Sequence, residues 1–201
     1  MVLRRSIVLG LVLAVWAAGA GSASAATTVG QLFTPTKGCS NIARLQAASP
    51  SGSYEVPFDG VITSWRFRNG AQPVQGLKFK VGRPGGGTLY TIVGESLGGV
   101  QTANAVTTKK VRIRVKRRDY IGIYARSGYC QLPTTSQFDI FAQYAGDPPL
   151  GSSSEKWPYQ SYAKIPVQAS LERDADRDGF GDETQDRCPG VAGKSAGCPA
   201  A

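Results

Sequence analysis

Lys109-Lys110-Val111-Arg112-Ile113-Arg114-Val115-Lys116 alternates between charged and apolar residues along its length. Successive side chains of a β-strand leave opposite faces, so Val111, Ile113 and Val115 share one face and Lys110, Arg112, Arg114 and Lys116 the other. The first face belongs to a core. The second is a row of positive charge.

The rest of the chain repeats the pattern in weaker form. Further strands are expected at Ser53–Phe58, Val61–Arg68, Gly76–Val81, Leu89–Gly94, Tyr120–Ala125, Phe138–Tyr144 and Ser161–Leu171, and the basic strand itself spans Lys110–Arg117. Turn signals separate them: Asp59-Gly60, Asn69-Gly70, Arg83-Pro84-Gly85-Gly86-Gly87 and Gly98-Gly99. Eight or more short strands at this spacing predict an all-β, antiparallel β-sandwich of jelly-roll character. The 25 glycines and 12 prolines, scattered between short apolar runs, agree with a turn-rich β protein. No amphipathic helix and no internal repeat stands out, and Asp147–Ser154 reads as a loop. Gly82–Thr88 lacks the lysine of a phosphate-binding loop and sits between strands, so it reads as a hairpin.

Composition narrows the function. With 201 residues, 41% hydrophobic and 18% charged, the chain is long enough for one core and is globular in kind. It has no histidine, which removes the commonest general base, the Ser-His and Cys-His nucleophile systems and histidine-held zinc or iron. Residues 1–25 have the layout of a secretion signal: Arg4 and Arg5, an apolar run Ile7–Ala18, then the small-residue cleavage site Ala23-Ser24-Ala25. The apolar run is short for a membrane span and no other stretch approaches one, so the mature chain is expected to be extracellular, starting at Ala26. Disulfides persist in that setting. Cys39 and Cys130 lie in the main domain, and Cys188 and Cys198 lie ten residues apart in the tail, so Cys39–Cys130 and Cys188–Cys198 are the expected pairs.

Charge divides the chain as well. The whole sequence carries +9, and the mature part +7. Leu171–Cys188 holds seven acids against three arginines, a local −4. Lys194 adds one charge in the tail, which leaves +10 on residues 26–170. A basic β-sandwich (26–170) thus precedes an acidic tail (171–201). The basic row Lys110, Arg112, Arg114 and Lys116 reads either as a docking surface for an anionic cell-surface polymer or polysaccharide, or as a solvated strand protected against edge pairing. Nucleic-acid surfaces interleave aromatics for stacking, which this strand lacks, so no nucleic-acid partner is expected.

Two rival functions have candidate residues. Trp65, Trp157, Tyr159 and Tyr162 could build a sugar platform for a carbohydrate-binding module, with Trp157-Pro158-Tyr159 the better placed for exposure, but Trp65 within Val61–Arg68 reads as core and ordinary packing is the favoured reading of the set. Glu55, Asp59, Glu95, Asp119, Asp139, Asp147 and Glu155 supply carboxylates for a histidine-free glycoside hydrolase, but their spacing pairs no two of them across a cleft. A non-catalytic protein is therefore expected.

The segment Asp174-Ala175-Asp176-Arg177-Asp178-Gly179-Phe180-Gly181-Asp182 is different in kind. Four carboxylates this close repel one another unless a hard cation lies among them, and calcium takes six to eight oxygen ligands. Numbered as a calcium loop, Asp174, Asp176 and Asp178 fill positions 1, 3 and 5. Gly179 provides the turn at position 6, Phe180 offers a backbone carbonyl at position 7, and Asp182 is at position 9. Position 12 is Gln185, not the bidentate glutamate of an EF-hand, so Asp186 or Glu183 is left to close the shell.

Residues 174–189, with the D-x-D-x-D-G-x-x-D core followed by Asp186-Arg187-Cys188-Pro189, resemble a thrombospondin type 3 repeat. The resemblance implies calcium held by Asp174, Asp176, Asp178, Asp182 and Asp186 with backbone oxygens, without EF-hand helices, and with disulfides stapling the segment. There is one unit, not an array, so no calcium-wrapped rod follows. The preceding domain is similar to the sandwiches that precede such loops in secreted actinobacterial proteins, a likeness that carries no activity. The expectation is a secreted, calcium-binding β-sandwich whose basic face binds an extracellular or cell-envelope partner.

Overall fold

The computed structural model describes residues 25–200. The expected secretion signal, residues 1–25, lies outside the described residues apart from Ala25. Fourteen strands are present: β1 (Thr27–Gly30), β2 (Lys37–Gly38), β3 (Ile42–Ala48), β4 (Gly60–Arg68), β5 (Lys78–Gly86), β6 (Leu89–Leu97), β7 (Val106–Val115), β8 (Tyr120–Ala125), β9 (Tyr129–Pro133), β10 (Ile140–Ala145), β11 (Ser153–Ser154), β12 (Tyr159–Gln160), β13 (Ala163–Lys164) and β14 (Val167–Glu172). No helix occurs among the described residues.

The strands form two main antiparallel sheets, ordered β1-β14-β4-β7 and β11-β6-β5-β8-β3-β10-β12. The first and last long strands are neighbours, and β3-β8-β5-β6 opposes β1-β14-β4-β7. This is the double Greek-key order of a jelly roll, as the alternating runs predicted. A small sheet, β13-β9-β2, adds to the two layers. The main core lies between the two sheets, where Ile62, Trp65, Phe67, Val167, Ala169 and Leu171 from one meet Phe79, Val81, Ile121, Ile123 and Ala125 from the other. Trp65 stacks on Phe79 with centroids 5.4 Å apart and planes 9° off parallel.

A second, smaller core covers the other face of the larger sheet. Ala43, Leu45, Tyr90, Ile92, Tyr124 and Ala142 pack there beneath Trp157, which the loop after β11 folds over them. Trp157 is fully buried and lies 5.3 Å from Tyr144 and 5.8 Å from Tyr90 between ring centroids. Of the two readings of Trp157, ordinary packing is the one that holds, and the sugar platform loses its best-placed indole. The indole is the largest apolar group available to close that face, so burial wins over presentation. Tyr159 and Tyr162 stay exposed.

Both disulfides form as expected, Cys39–Cys130 and Cys188–Cys198. Other local expectations shift. Ser53–Phe58 is not a strand; Tyr54 and Val56 are buried, and Glu55 makes an isolated bridge to Tyr120. Pro57 removes a backbone donor at that point. The expected strand Ser161–Leu171 begins only after Tyr162, which takes a left-handed φ of 65°, and divides into β13 and β14 where Pro166 interrupts the ladder. β3, not among the expected strands, alternates Ala43, Leu45 and Ala47 with Arg44 and Gln46, and the polar side is buried as well as the apolar one. Gln46 bonds the backbone of Ala48, Ile140, Ala163 and Ile165. Gly82–Thr88 is the β5–β6 hairpin, with Gly86 and Gly87 at positive φ.

Candidate metal centre

The acidic tail begins where the sandwich ends. β14 runs through Leu171, in the core, to Glu172, whose carboxylate is buried. Oε1 of Glu172 accepts from the Thr63 hydroxyl at 2.9 Å and the Thr184 hydroxyl at 2.6 Å. Oε2 accepts from the amides of Glu183 at 3.1 Å and Thr184 at 2.9 Å. One carboxylate on the smaller sheet therefore holds the far side of the acidic loop, eleven and twelve residues on. Gln185 then donates to the Val111 carbonyl at 2.7 Å, on the edge strand β7. That engagement turns the residue at loop position 12 toward the sheet.

Between these anchors the chain winds back on itself. Arg177 and Gly179 have positive φ, 63° and 89°. At Gly179 this is a conformation L side chains rarely adopt, and a Cβ there would also fall within the Arg114 guanidinium. Three carboxylates, Asp174, Asp176 and Asp178, each place an oxygen within 4.8 Å of the others. Their other contacts are to the loop backbone. Asp174 Oδ2 accepts from Gly179 N at 2.9 Å, Asp176 Oδ1 from Asp178 N at 3.2 Å, and Asp178 Oδ1 from Phe180 N at 2.9 Å. Asp182 Oδ1 accepts from Ala175 N at 3.1 Å, and Asp186 Oδ1 from Cys188 N at 2.7 Å.

On Asp174, Asp176 and Asp186 the second oxygen (Oδ1, Oδ2 and Oδ2 respectively) is buried and has no hydrogen-bond partner. Burial raises the Asp174 carboxyl above the ordinary aspartate range, a rise the Gly179 amide moderates and the Asp178 charge adds to. Asp186 is raised as well, first by burial and then by the charges of Asp178, Asp176 and Asp182. Buried acceptors without donors, among like charges, are costly unless a cation supplies the missing partner. The donor set, all carboxylate oxygen without histidine or thiolate, fits a hard ion of the calcium type.

The two candidates for closing the shell are placed differently. Glu183 Oε2 accepts from Ala26 N at 2.8 Å, at the start of the described chain, and its Oε1 is buried without a partner, as Asp186 Oδ2 is. Asp186 is 9% exposed and feels the charges of three of the loop aspartates. Phe180 stacks its ring under the Arg112 guanidinium at 4.0 Å.

The basic row is where the sequence placed it, on the edge strand of the smaller sheet, with Val111, Ile113 and Val115 turned to the core. It is not a bare surface. Arg112 covers Phe180, and Arg114 Nη2 donates to the Arg177 carbonyl at 3.3 Å. The tail's proximity to β7 was not visible in the sequence; the excess of +10 beside −4 was the available hint.

Six of the seven carboxylates considered for hydrolysis are engaged elsewhere, Glu155 being the exception. Glu95 and Asp147 form ion pairs with Lys78 and the fully buried Lys80. Asp119 takes Arg83 through both oxygens at 2.8 Å. Asp139 accepts from Ser49, Glu55 from Tyr120, and Asp59 from the Arg117 amide. Fold and site together define a jelly-roll β-sandwich with an aspartate-rich loop secured to one face. Comparison of the chain with protein-family models, with curated proteins and with solved structures finds no match.

Proposed function

We propose that this is a secreted, non-catalytic calcium-binding protein whose basic β-sandwich serves an anionic extracellular or cell-envelope partner. The observation that carries the calcium reading is the set of buried, partnerless oxygens on Asp174, Asp176, Glu183 and Asp186, each on a carboxylate whose other oxygen a backbone amide holds. In this reading Asp174, Asp176, Asp178, Asp182 and Asp186 are side-chain ligands and Phe180 gives its carbonyl. Asp186 and Glu183 both offer a further oxygen to close the shell, Oδ2 and Oε1, each buried and without a partner beside an oxygen that a backbone amide holds, while the side-chain amide of Gln185 donates to β7. The ion neutralises the repulsion and orders the tail, so metal binding and folding of this segment are one equilibrium.

Two disulfides suit an oxidising compartment. The partner is argued from charge: among the described residues Lys110, Arg112, Arg114 and Lys116 form no ion pair with a carboxylate. A sugar platform built on Trp157 loses its support with that residue's burial. The absence of histidine and the engagement of Glu95, Asp119 and Asp147 weigh against acid–base hydrolysis.

Titration calorimetry of the secreted chain with calcium tests the reading. The expected result is one site with a dissociation constant of about 10⁻⁴ to 10⁻³ M, the range of extracellular calcium modules. Asp178→Asn should weaken it, and magnesium should compete poorly. No heat with millimolar calcium, together with melting indifferent to it, would remove the proposal.

A further inference from the structure

Between β7 and the acidic loop lies an open cleft of about 400 Å³ lined by Arg112, Arg114, Asp178, Gly179, Phe180, Gly193 and Lys194. Its three cations come from two directions: Arg112 and Arg114 from the strand, and Lys194 from the loop closed by Cys188–Cys198. None of the three is paired with a carboxylate among the described residues. The one acid in the lining, Asp178, has both oxygens committed to backbone amides, Oδ1 to Phe180 and Oδ2 to Gly193 at 3.1 Å. Arg114 spends one donor on the Arg177 carbonyl, and Arg112 lies flat on Phe180, which leaves the N–H edges of a guanidinium available.

We infer that this cleft is a binding site for a phosphate monoester group, and that its affinity is coupled to calcium. The inference rests on the calcium reading above for the coupling only. Three cations against one carboxylate give a lining charge of +2, which a phosphate monoester dianion matches. Donors from two facing elements suit an anion with three free oxygens better than a planar carboxylate with two.

The coupling follows from what builds the walls. Asp178, Gly179 and Phe180 are positions 5, 6 and 7 of the loop, and Gly193 is held to Asp178. A loop that frays without metal takes one side of the cleft with it. Loss of the ion also leaves the five loop aspartates uncompensated beside the anion, and their field opposes it. Linkage requires the converse, so the anion strengthens calcium binding by the same factor.

Calorimetric calcium titrations of the secreted chain, with and without saturating glycerol 3-phosphate at matched ionic strength, test this. Methyl sulfate and acetate serve as comparison anions. The expected result is calcium binding about fivefold tighter with glycerol 3-phosphate, the low end of ordinary coupling energies, with a smaller effect of methyl sulfate and none of acetate. Arg112→Gln combined with Lys194→Gln should abolish the enhancement. Lys194→Gln alone, on the exposed tail loop, should reduce it in a chain of unchanged melting temperature. Lys37→Gln with Lys156→Gln, which removes the same charge at distant exposed sites, should preserve it. The inference fails if wild-type protein shows no enhancement, if acetate works equally well, or if the distant pair loses as much as the cleft pair. Should calcium itself give no heat, the calcium reading is what has failed. The cleft is then judged by NMR titration with glycerol 3-phosphate: amide shifts at residues 112–114 and 193–194 that vanish in Arg112→Gln/Lys194→Gln sustain it, and their absence in wild type overturns it.

Discussion

Replacing Glu172 by glutamine and by alanine separates the charge of this carboxylate from its shape. The residue is buried and accepts four hydrogen bonds, two from hydroxyls at Oε1 and two from backbone amides at Oε2. In Glu172→Gln the amide oxygen can face the two fixed N–H groups, and the NH₂ can face Thr63 and Thr184, whose hydroxyls rotate to accept. All partners survive, but the bonds lose charge assistance. At about 1 kcal/mol lost for each of the two amide bonds, the cost is about 2 kcal/mol. In Glu172→Ala the hydroxyls can turn elsewhere, but the amides of Glu183 and Thr184 cannot. Two stranded amides at about 2 kcal/mol each give a loss of about 4 kcal/mol. For a domain of this size these values correspond to melting shifts of about 6 °C and about 12 °C. Calorimetric melting in calcium, with disulfides intact, measures both. Because Thr184 lies between Asp182 and Asp186, the alanine variant should also weaken calcium binding. Equal losses in the two variants would refute the argument from stranded donors. Shifts below about 2 °C in both would refute the idea that Glu172 fastens the tail to the sandwich.

The pH response of the metal-free tail follows from Asp174 and Asp186, whose carboxyls are raised in the folded chain. A raised carboxyl contributes its full stability below the unfolded aspartate value of about 3.9 and loses it as pH climbs through the folded value. In chelator, hydrogen exchange of amides 174–188 should therefore be better protected at mildly acidic pH than at pH 7, and calcium should restore protection at pH 7. Trp157→Ala should cost about 3–5 kcal/mol on denaturant unfolding, because it empties the core beneath the β11–β12 loop; a folded variant of unchanged stability would contradict the buried placement. The chain-entropy relation assigns about 4.6 kcal/mol to Cys39–Cys130, which spans 91 residues, and about 2.7 kcal/mol to Cys188–Cys198, which spans 10. Paired cysteine-to-alanine variants should follow that order in unfolding, and the second pair should additionally weaken calcium binding.

The stretch Lys109–Lys116 was legible as a strand because a period of two is a property of neighbouring residues, and the structure places its apolar side on the main core. The aspartate spacing was legible for the same reason: Asp174, Asp176, Asp178 and Gly179 meet through bonds spanning two to five residues. β3 carries only a short, alanine-rich alternation of Ala43, Leu45 and Ala47 with Arg44 and Gln46, and nothing near it in sequence shows that its polar side is buried too, on partners about a hundred residues away, Gln143 and Ile140 among them. Trp157 looked like a loop residue because nothing near it in sequence announces the aromatic bed it closes.

The sequence by itself determined the jelly-roll class, both cysteine pairings and the convergence of the acidic loop, all of which rest on local pattern and on the division of charge. Only the tertiary structure decided that the loop lies against the sandwich: Glu172 collecting Thr63 and Thr184, Gln185 bonding Val111, and Arg112 covering Phe180. Those contacts join residues 12 to 109 positions apart. Their geometry depends on how two sheets pack, and no local periodicity carries it.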